Sequence, residues 1–214
     1  MLFILVGLSL LSYLLGSIPT AIWYGDRYHG MDIRQHGSGN AGATNTFRVL
    51  GKKAGCFVLF VDAFKGFAAA SLATVLYSFN LVDWQTCVTL KILFGFLAII
   101  GHLLPVFCDF KGGKGVATTL GMVIALHPQA ACVSSLVFLL VFAISHYVSL
   151  GSMVTSVVFP LLLQFEVFGK ELPILIYFGF IISFLVIFTH RKNIGRIISG
   201  TENRMYLIPR KGRL

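Results

Sequence analysis

Seven apolar stretches, at about residues 2–24, 54–79, 87–107, 116–126, 130–148, 153–168 and 172–189, leave this chain few ways to fold. In hydrocarbon every backbone N–H and C=O must find a partner inside the protein, and a single segment achieves that only as an α-helix. With 57% hydrophobic residues and 12% charged ones, the composition is that of a polytopic membrane protein. The expected architecture is therefore an all-α integral membrane protein, one membrane domain over residues 1–214 with seven transmembrane helices. No Lys or Arg precedes the first stretch as a signal peptide requires, so it reads as a retained span. Its Gly16, Ser17 and Pro19 predict close packing or a kink. The fourth stretch is short: eleven residues rise about 16 Å, roughly half of a 30 Å hydrocarbon core. That helix either borrows from its flanks or stops partway, which would put its N-terminus in a protein-lined recess.

Charge then orients the spans. The net charge of +9 would suggest nucleic acid for a soluble chain, but 14 of the 17 Lys and Arg residues fall in three polar segments. These are residues 25–53, the Lys111 to Lys114 turn, and the chain from Arg191 onward; Lys65 and Lys91 lie within spans, and Lys170 is alone on the opposite side. The positive-inside rule places the N-terminus outside, the C-terminus in the cytoplasm and the turn from Glu166 to Glu171 outside. All glycine-rich loops then face the cytoplasm. Cys56, Cys87, Cys108 and Cys132 show no C-x-x-C spacing and lie in or beside apolar segments, so they read as buried free thiols, with no disulfide, metal or cofactor implied.

Two loops concentrate polar chemistry. Phe110-Lys111-Gly112-Gly113-Lys114-Gly115-Val116 sets two lysines and three glycines before an apparent helix start. Such a turn can aim backbone N–H groups and a helix dipole at an anion. It is not a Walker loop, because Cys108 stands where the first glycine belongs. The second loop, from His36 to Arg48, alternates Gly37, Gly39 and Gly42 with Ser38, Asn40, Thr44 and Asn45, and ends on an arginine whose planar fork suits phosphate oxygens. Asp62 and Lys65, three apart, are expected to pair within a span, and His102 to take a hydrogen-bonded packing role. In His146-Tyr147-Val148-Ser149-Leu150-Gly151-Ser152 the serines read as helix caps or hydroxyls on the same face. If the last helix continues past Thr189, His190, Asn193 and Arg196 recur on one side, while Arg191 and Lys192 suit an anionic-lipid anchor. No Gly-x-Ser-x-Gly elbow, His-x4-Asp pair or Cys–His motif is present. Cation-rich loops without a strong base suit an electrophile that arrives activated and leaves as phosphate.

These segments resemble the bacterial membrane glycerol-3-phosphate acyltransferases that use acyl phosphate, the PlsY type. The resemblance covers nearly the whole chain: Gly16 to Pro19, Gly37 to Arg48, Asp62 to Gly66, Gly101 to Phe107, Lys111 to Thr118, Tyr147 to Ser152 and His190 to Arg196. It implies a seven-helix enzyme of the bacterial inner membrane. Its implied reaction takes acyl phosphate and glycerol 3-phosphate to 1-acylglycerol 3-phosphate (lysophosphatidic acid) and phosphate, the first step of phospholipid synthesis. The implied site faces the cytoplasm, with no acyl-enzyme, and membrane lipid but no nucleic acid or obligate protein is the implied partner. By that resemblance Ser38, Arg48, Lys114, His190 and Asn193 are catalytic candidates. Gly37, Gly39, Asn40, Thr44, Asn45, Gly112, Gly113, Gly115 and Ser149 are substrate-binding ones, with Ser152 close enough to compete with Ser149. Ala41 stands where the family often has proline, which loosens the loop without removing a ligand. A transporter for a phosphorylated solute and a scaffold for anionic lipids are the alternatives. The first should spread polar residues through the membrane depth, and the second has no use for Asn40, Asn45 or Asn193.

Overall fold

The computed structural model describes residues 1–165 and 172–206, and among these it is helical with no strand. Ten α-helices run α1 Leu2–Ser17, α2 Thr20–His29, α3 Ala43–Val49, α4 Gly51–Ser78, α5 Trp84–Leu103, α6 Val116–Leu126, α7 Pro128–Ser145, α8 Val148–Leu162, α9 Pro173–Thr189 and α10 Arg191–Ile198. Each apolar stretch contributes an α-helix among the described residues, but the lengths differ from seven uniform spans. Three helices, α4, α5 with the turn after it, and α7, are long and apolar enough to cross a membrane. Two bent pairs, α1–α2 at 43° and α9–α10 at 59°, bring the number to five, and α6 and α8 are shorter apolar helices. Lys170, Arg210, Lys211, Arg213, the turn from Glu166 to Glu171 and the end of the sixth apolar stretch lie outside the described residues.

The first expected span is broken where Pro19 stands, since proline cannot donate the helical hydrogen bond. The final helix likewise does not continue: α9 ends at Thr189, and α10 sets off at the 59° bend. Large apolar side chains such as Phe3, Phe60, Ile144 and Phe184 point outward. In lipid, burying them would gain little, so the helices must associate through close packing and polar contacts instead. Small residues supply the packing. A Cβ placed on Gly16 would lie 2.0 Å from the Ala98 carbonyl oxygen, and one on Gly101 would lie 2.2 Å from that of Tyr13, so α1 and α5 meet backbone to backbone. Cys87 is buried and Cys108 half-buried, but Cys56 and Cys132 are exposed, which corrects the expectation of four buried thiols; all four are free.

α6 does not borrow from its flanks. It starts on Gly115 in the left-handed region (φ 78°) and stops at His127, where Pro128 opens α7. His127 Nδ1 accepts from the Ala130 N–H (3.1 Å), and Lys91 Nζ, reaching over from α5, donates to the Ala125 carbonyl (3.0 Å). A charge that looked misplaced within a span thus satisfies one of the orphan carbonyls of a short helix.

Candidate active site

The first loop is stitched by one amide. Asn45 Oδ1 accepts from the Ser38 N–H (2.8 Å), and Nδ2 donates to the carbonyls of Ile33 (3.1 Å) and His36 (2.9 Å). Its side chain is 1% exposed and spends both donors on holding the loop. Gly37 turns at φ 60° directly beneath it, where a Cβ would lie 2.4 Å from Asn45 Oδ1. Held this way, the loop presents Ser38, Gly39, Asn40, Thr44 and Arg48 to a large cavity.

The lysine loop is anchored differently from the expected glycine cradle. The Gly112 and Gly113 N–H groups donate to the carbonyls of Leu103 (3.2 Å) and His102 (3.1 Å) at the end of α5. Those two amides hold the loop, so the groups there still able to meet an anion are Lys114 and the first turn of α6, whose N–H groups have no intrahelical partner. Gly113, Lys114, Gly115, Val116 and Ala117 line the cavity, Gly112 sits behind it, and Lys111 is exposed outside it.

The third wall comes from the α9–α10 bend. His190 is buried, with Nδ1 2.8 Å from the Val186 carbonyl; only an N–H can face that oxygen, so Nε2 keeps its lone pair. Burial and the nearby Lys114 charge lower its pKa to about 4. Asn193 accepts from Lys114 Nζ through Oδ1 and donates from Nδ2 to Glu202 Oε1 (2.6 Å). Ser149 Oγ donates to the same oxygen (2.6 Å), rather than capping α8, and Arg196 Nε donates to Glu202 Oε2 (2.7 Å). Ser152, a turn deeper, bonds its own helix at the Val148 carbonyl (2.8 Å).

Glu202 is the residue sequence reasoning missed. Burial by itself would raise its carboxyl, but the hydrogen bonds from Ser149, Asn193 and Arg196 outweigh it and hold the pKa below the ordinary value. A signal was present in Gly200. At φ 70° it closes α10 with bonds from Gly200 N to the Ile197 carbonyl (3.1 Å) and from Thr201 N to the Arg196 carbonyl (2.8 Å). That pairing is a Schellman stop, which turns the chain back so that Glu202 faces the helix it has just left. Lys114 sits among Arg196, Arg48 and Glu202; desolvation, with the two arginines, outweighs the carboxylate and lowers its pKa to about 8.

One cavity of about 960 Å³ joins all three walls, and it continues along α6 from Val116 to Leu126, about 15 Å at the helical rise. Its mouth is polar and cationic: Ser38, Arg48, Lys114, Ser149, His190 and Asn193 all line it. Its length is apolar, faced by Leu120, Val123, Phe138, Phe142, Phe159 and Ile182. The arrangement can hold phosphate oxygens at one end and an alkyl chain at the other.

Residues 6–200 match a family model described as glycerol-3-phosphate acyltransferase, so Glu202 falls just past the matched segment. Among curated proteins, a glycerol-3-phosphate acyltransferase of Chlorobium limicola is 40% identical, the alignment covering 94% of this chain and 96% of the relative. One from Salinibacter ruber is 43% identical, covering 92% and 90%. Among solved structures, PlsY (YgiH), described as an integral membrane glycerol 3-phosphate acyltransferase in its glycerol 3-phosphate form, matches with a TM-score of 0.81 at 40% identity, covering 94% of this chain and 96% of that one. The lysophosphatidic acid form of PlsY matches with a TM-score of 0.78.

Proposed function

The chain belongs to the glycerol-3-phosphate acyltransferase family of integral membrane proteins, and from that premise we propose that it acylates the sn-1 hydroxyl of glycerol 3-phosphate from acyl phosphate. The products are 1-acylglycerol 3-phosphate and inorganic phosphate, and the site opens to the cytoplasm of a bacterium through a bundle of seven spans, α6 and α8 included. The observation that carries this reading is the single cavity with a cationic mouth and an apolar length. Its mouth suits two phosphates, one on each substrate, and its length suits an acyl tail.

In the reaction the hydroxyl oxygen forms the ester C–O bond while the acyl–phosphate C–O bond breaks, and the departing phosphate keeps that electron pair. Lys114 and the first turn of α6 stabilise the charge that develops on it, which is the preorganised electrostatics a phosphate leaving group needs. Ser38, Arg48 and the loop around them hold the acceptor's phosphate, and the free Nε2 of His190 accepts a hydrogen bond from the attacking hydroxyl, orienting it. The proton ends on the released phosphate. An acyl group already joined to phosphate needs no strong base, and a base with a pKa of about 4, as for His190, is a weak one. Both PlsY forms, with glycerol 3-phosphate and with lysophosphatidic acid, support the acceptor and product chemistry.

Purified protein in lipid, given glycerol 3-phosphate with either acyl phosphate or acyl-CoA, tests the reading through released phosphate and acylated product. We expect turnover from acyl phosphate, negligible turnover from acyl-CoA, and inhibition by added inorganic phosphate. Comparable rates from both donors would overturn the assignment of the donor.

A further inference from the structure

At the edge of the site, where Asp62 and His102 form part of the cavity wall, lies a polar node that the reaction just described does not use. Asp62 and Lys65 on α4 are 1% and 3% exposed, and Lys65 Nζ stands 2.8 Å from Asp62 Oδ1. Thr20 Oγ1, at the start of α2, donates to the same oxygen (3.0 Å), and Lys65 Nζ also donates to the Ile18 carbonyl at the α1–α2 break (2.9 Å). His102, at the end of α5, brings Nδ1 to 3.7 Å from that carboxylate. A buried ion pair of this kind gains little stability, because desolvating two charges offsets most of their attraction. What it supplies here is placement: α2, α4 and α5 meet at one carboxylate, and its lysine partner holds the α1–α2 break.

The imidazole passes that placement on to the lysine loop. His102 accepts the Gly113 N–H at its carbonyl, and a Cβ on Gly113 would lie 2.3 Å from His102 Nε2 and 3.0 Å from the Ala41 carbonyl of the first loop. A Cβ on Gly112 would lie 1.9 Å from the His102 carbonyl oxygen. Asp62 therefore lies on one side of the ring, and on the other both loops converge, one residue before Lys114. We propose that Asp62, Lys65 and His102 are positioning residues of the acyl transfer, fixing where Lys114 stands relative to the Ser38 to Arg48 loop. Misplacing a reacting group by about 1 Å can cost around 10² in rate, so such a node matters to turnover through the groups it places. The inference rests on the roles given above to Lys114 and the first loop.

Two experiments test it. Asp62→Asn with Lys65→Met removes both charges together and leaves no unpaired ion. This variant should lower kcat about tenfold, leave the KM for acyl phosphate unchanged, and speed hydrogen exchange at Gly112 to Lys114 about tenfold while exchange along α5 stays the same. Unchanged kcat and unchanged loop exchange, with only a lower melting temperature, would overturn the proposal. If wild-type protein released no phosphate from acyl phosphate, the reaction proposed above would fall, while loop exchange would still decide this inference. The second experiment needs no loss of the ion pair. Gly113→Ala should impair turnover by pushing against the ring, His102→Ala should impair it by removing the positioning side chain, and the double variant should lose at least about tenfold less than the two losses combined, because the truncated side chain makes room for the new Cβ. Losses that simply add would contradict a steric link between ring and loop.

Discussion

Lys114 concentrates the residue-scale consequences. Its ammonium is held by Asn193 at a point where desolvation has brought its pKa to about 8, so it is mostly charged at neutral pH and loses that charge as pH rises. Removing a preorganised charged donor costs about 10² or more in rate, so Lys114→Ala should cut kcat by that order, and the exposed Lys111→Ala by far less. Equal, small effects would mean that both lysines serve only topology. The pH profile checks the same group: kcat/KM for the free enzyme should fall above about pH 8. Bound phosphate adds negative charge beside the ammonium and favours its protonated form, so the falling limb of kcat should lie higher. Lys114→Arg should push that limb beyond the measurable range while losing rate, because a planar fork does not occupy the place of a compact ammonium. A limb unmoved by Lys114→Arg would assign it to another group.

The short helix α6 has to be held firmly, since it carries Lys114 at its N-terminus and lines the whole apolar length of the cavity. Its hold on α4 is backbone against backbone. A Cβ on Gly121 would lie 1.7 Å from the Ala63 carbonyl oxygen, and one on Gly66 would lie 2.0 Å from that of Thr118. Neither neighbour is a flexible side chain that could swing aside, so any side chain must separate the helices. Gly121→Ala should therefore lose stability by about 1–3 kcal/mol, the usual range for overpacking, and lose turnover with it as Lys114 shifts. Gly7 on α1 is the control: a Cβ there meets nothing within 4 Å, so Gly7→Ala should be neutral or slightly stabilising through helix propensity. Thermal unfolding of both variants in the same detergent checks the contrast, and equal melting temperatures would contradict the packing argument.

For the whole molecule, the open consequence is orientation. The polar walls of the site come from the segments that hold most of the basic residues, so the cavity mouth and the positive-inside signal lie together. Single-cysteine labelling in intact cells should leave Ser199→Cys, placed just after α10, unreactive from outside and reactive once the membrane is opened. The native thiols Cys56 and Cys132 are exposed and must be replaced first. Labelling of Ser199→Cys from outside would reverse the assigned orientation.

Much of the protein could be read from local properties of the chain. Long apolar runs imply helices because lipid offers the backbone no partner, and Pro19 and the short 116–126 run announced a break and a half-length helix for equally local reasons. Ser38, Arg48 and Lys114 stood out because glycine-rich polar loops are conspicuous in such a chain, and His190 and Asn193 because of their three-residue spacing; the family resemblance singled out all five, and the fold brings them to one cavity mouth. How their hydrogen bonds are allotted was not legible. Lys114 meets Asn193 across 79 residues, and Ser149 meets Glu202 across 53, so no spacing rule could have paired them. The amides of Gly112 and Gly113 looked free to bind an anion until the end of α5 was seen to claim them. Composition and spacing determined which groups exist and which phase they sit in. Which groups are left over for a substrate was decided only when distant segments packed, because a donor already satisfied by its neighbours has nothing more to give.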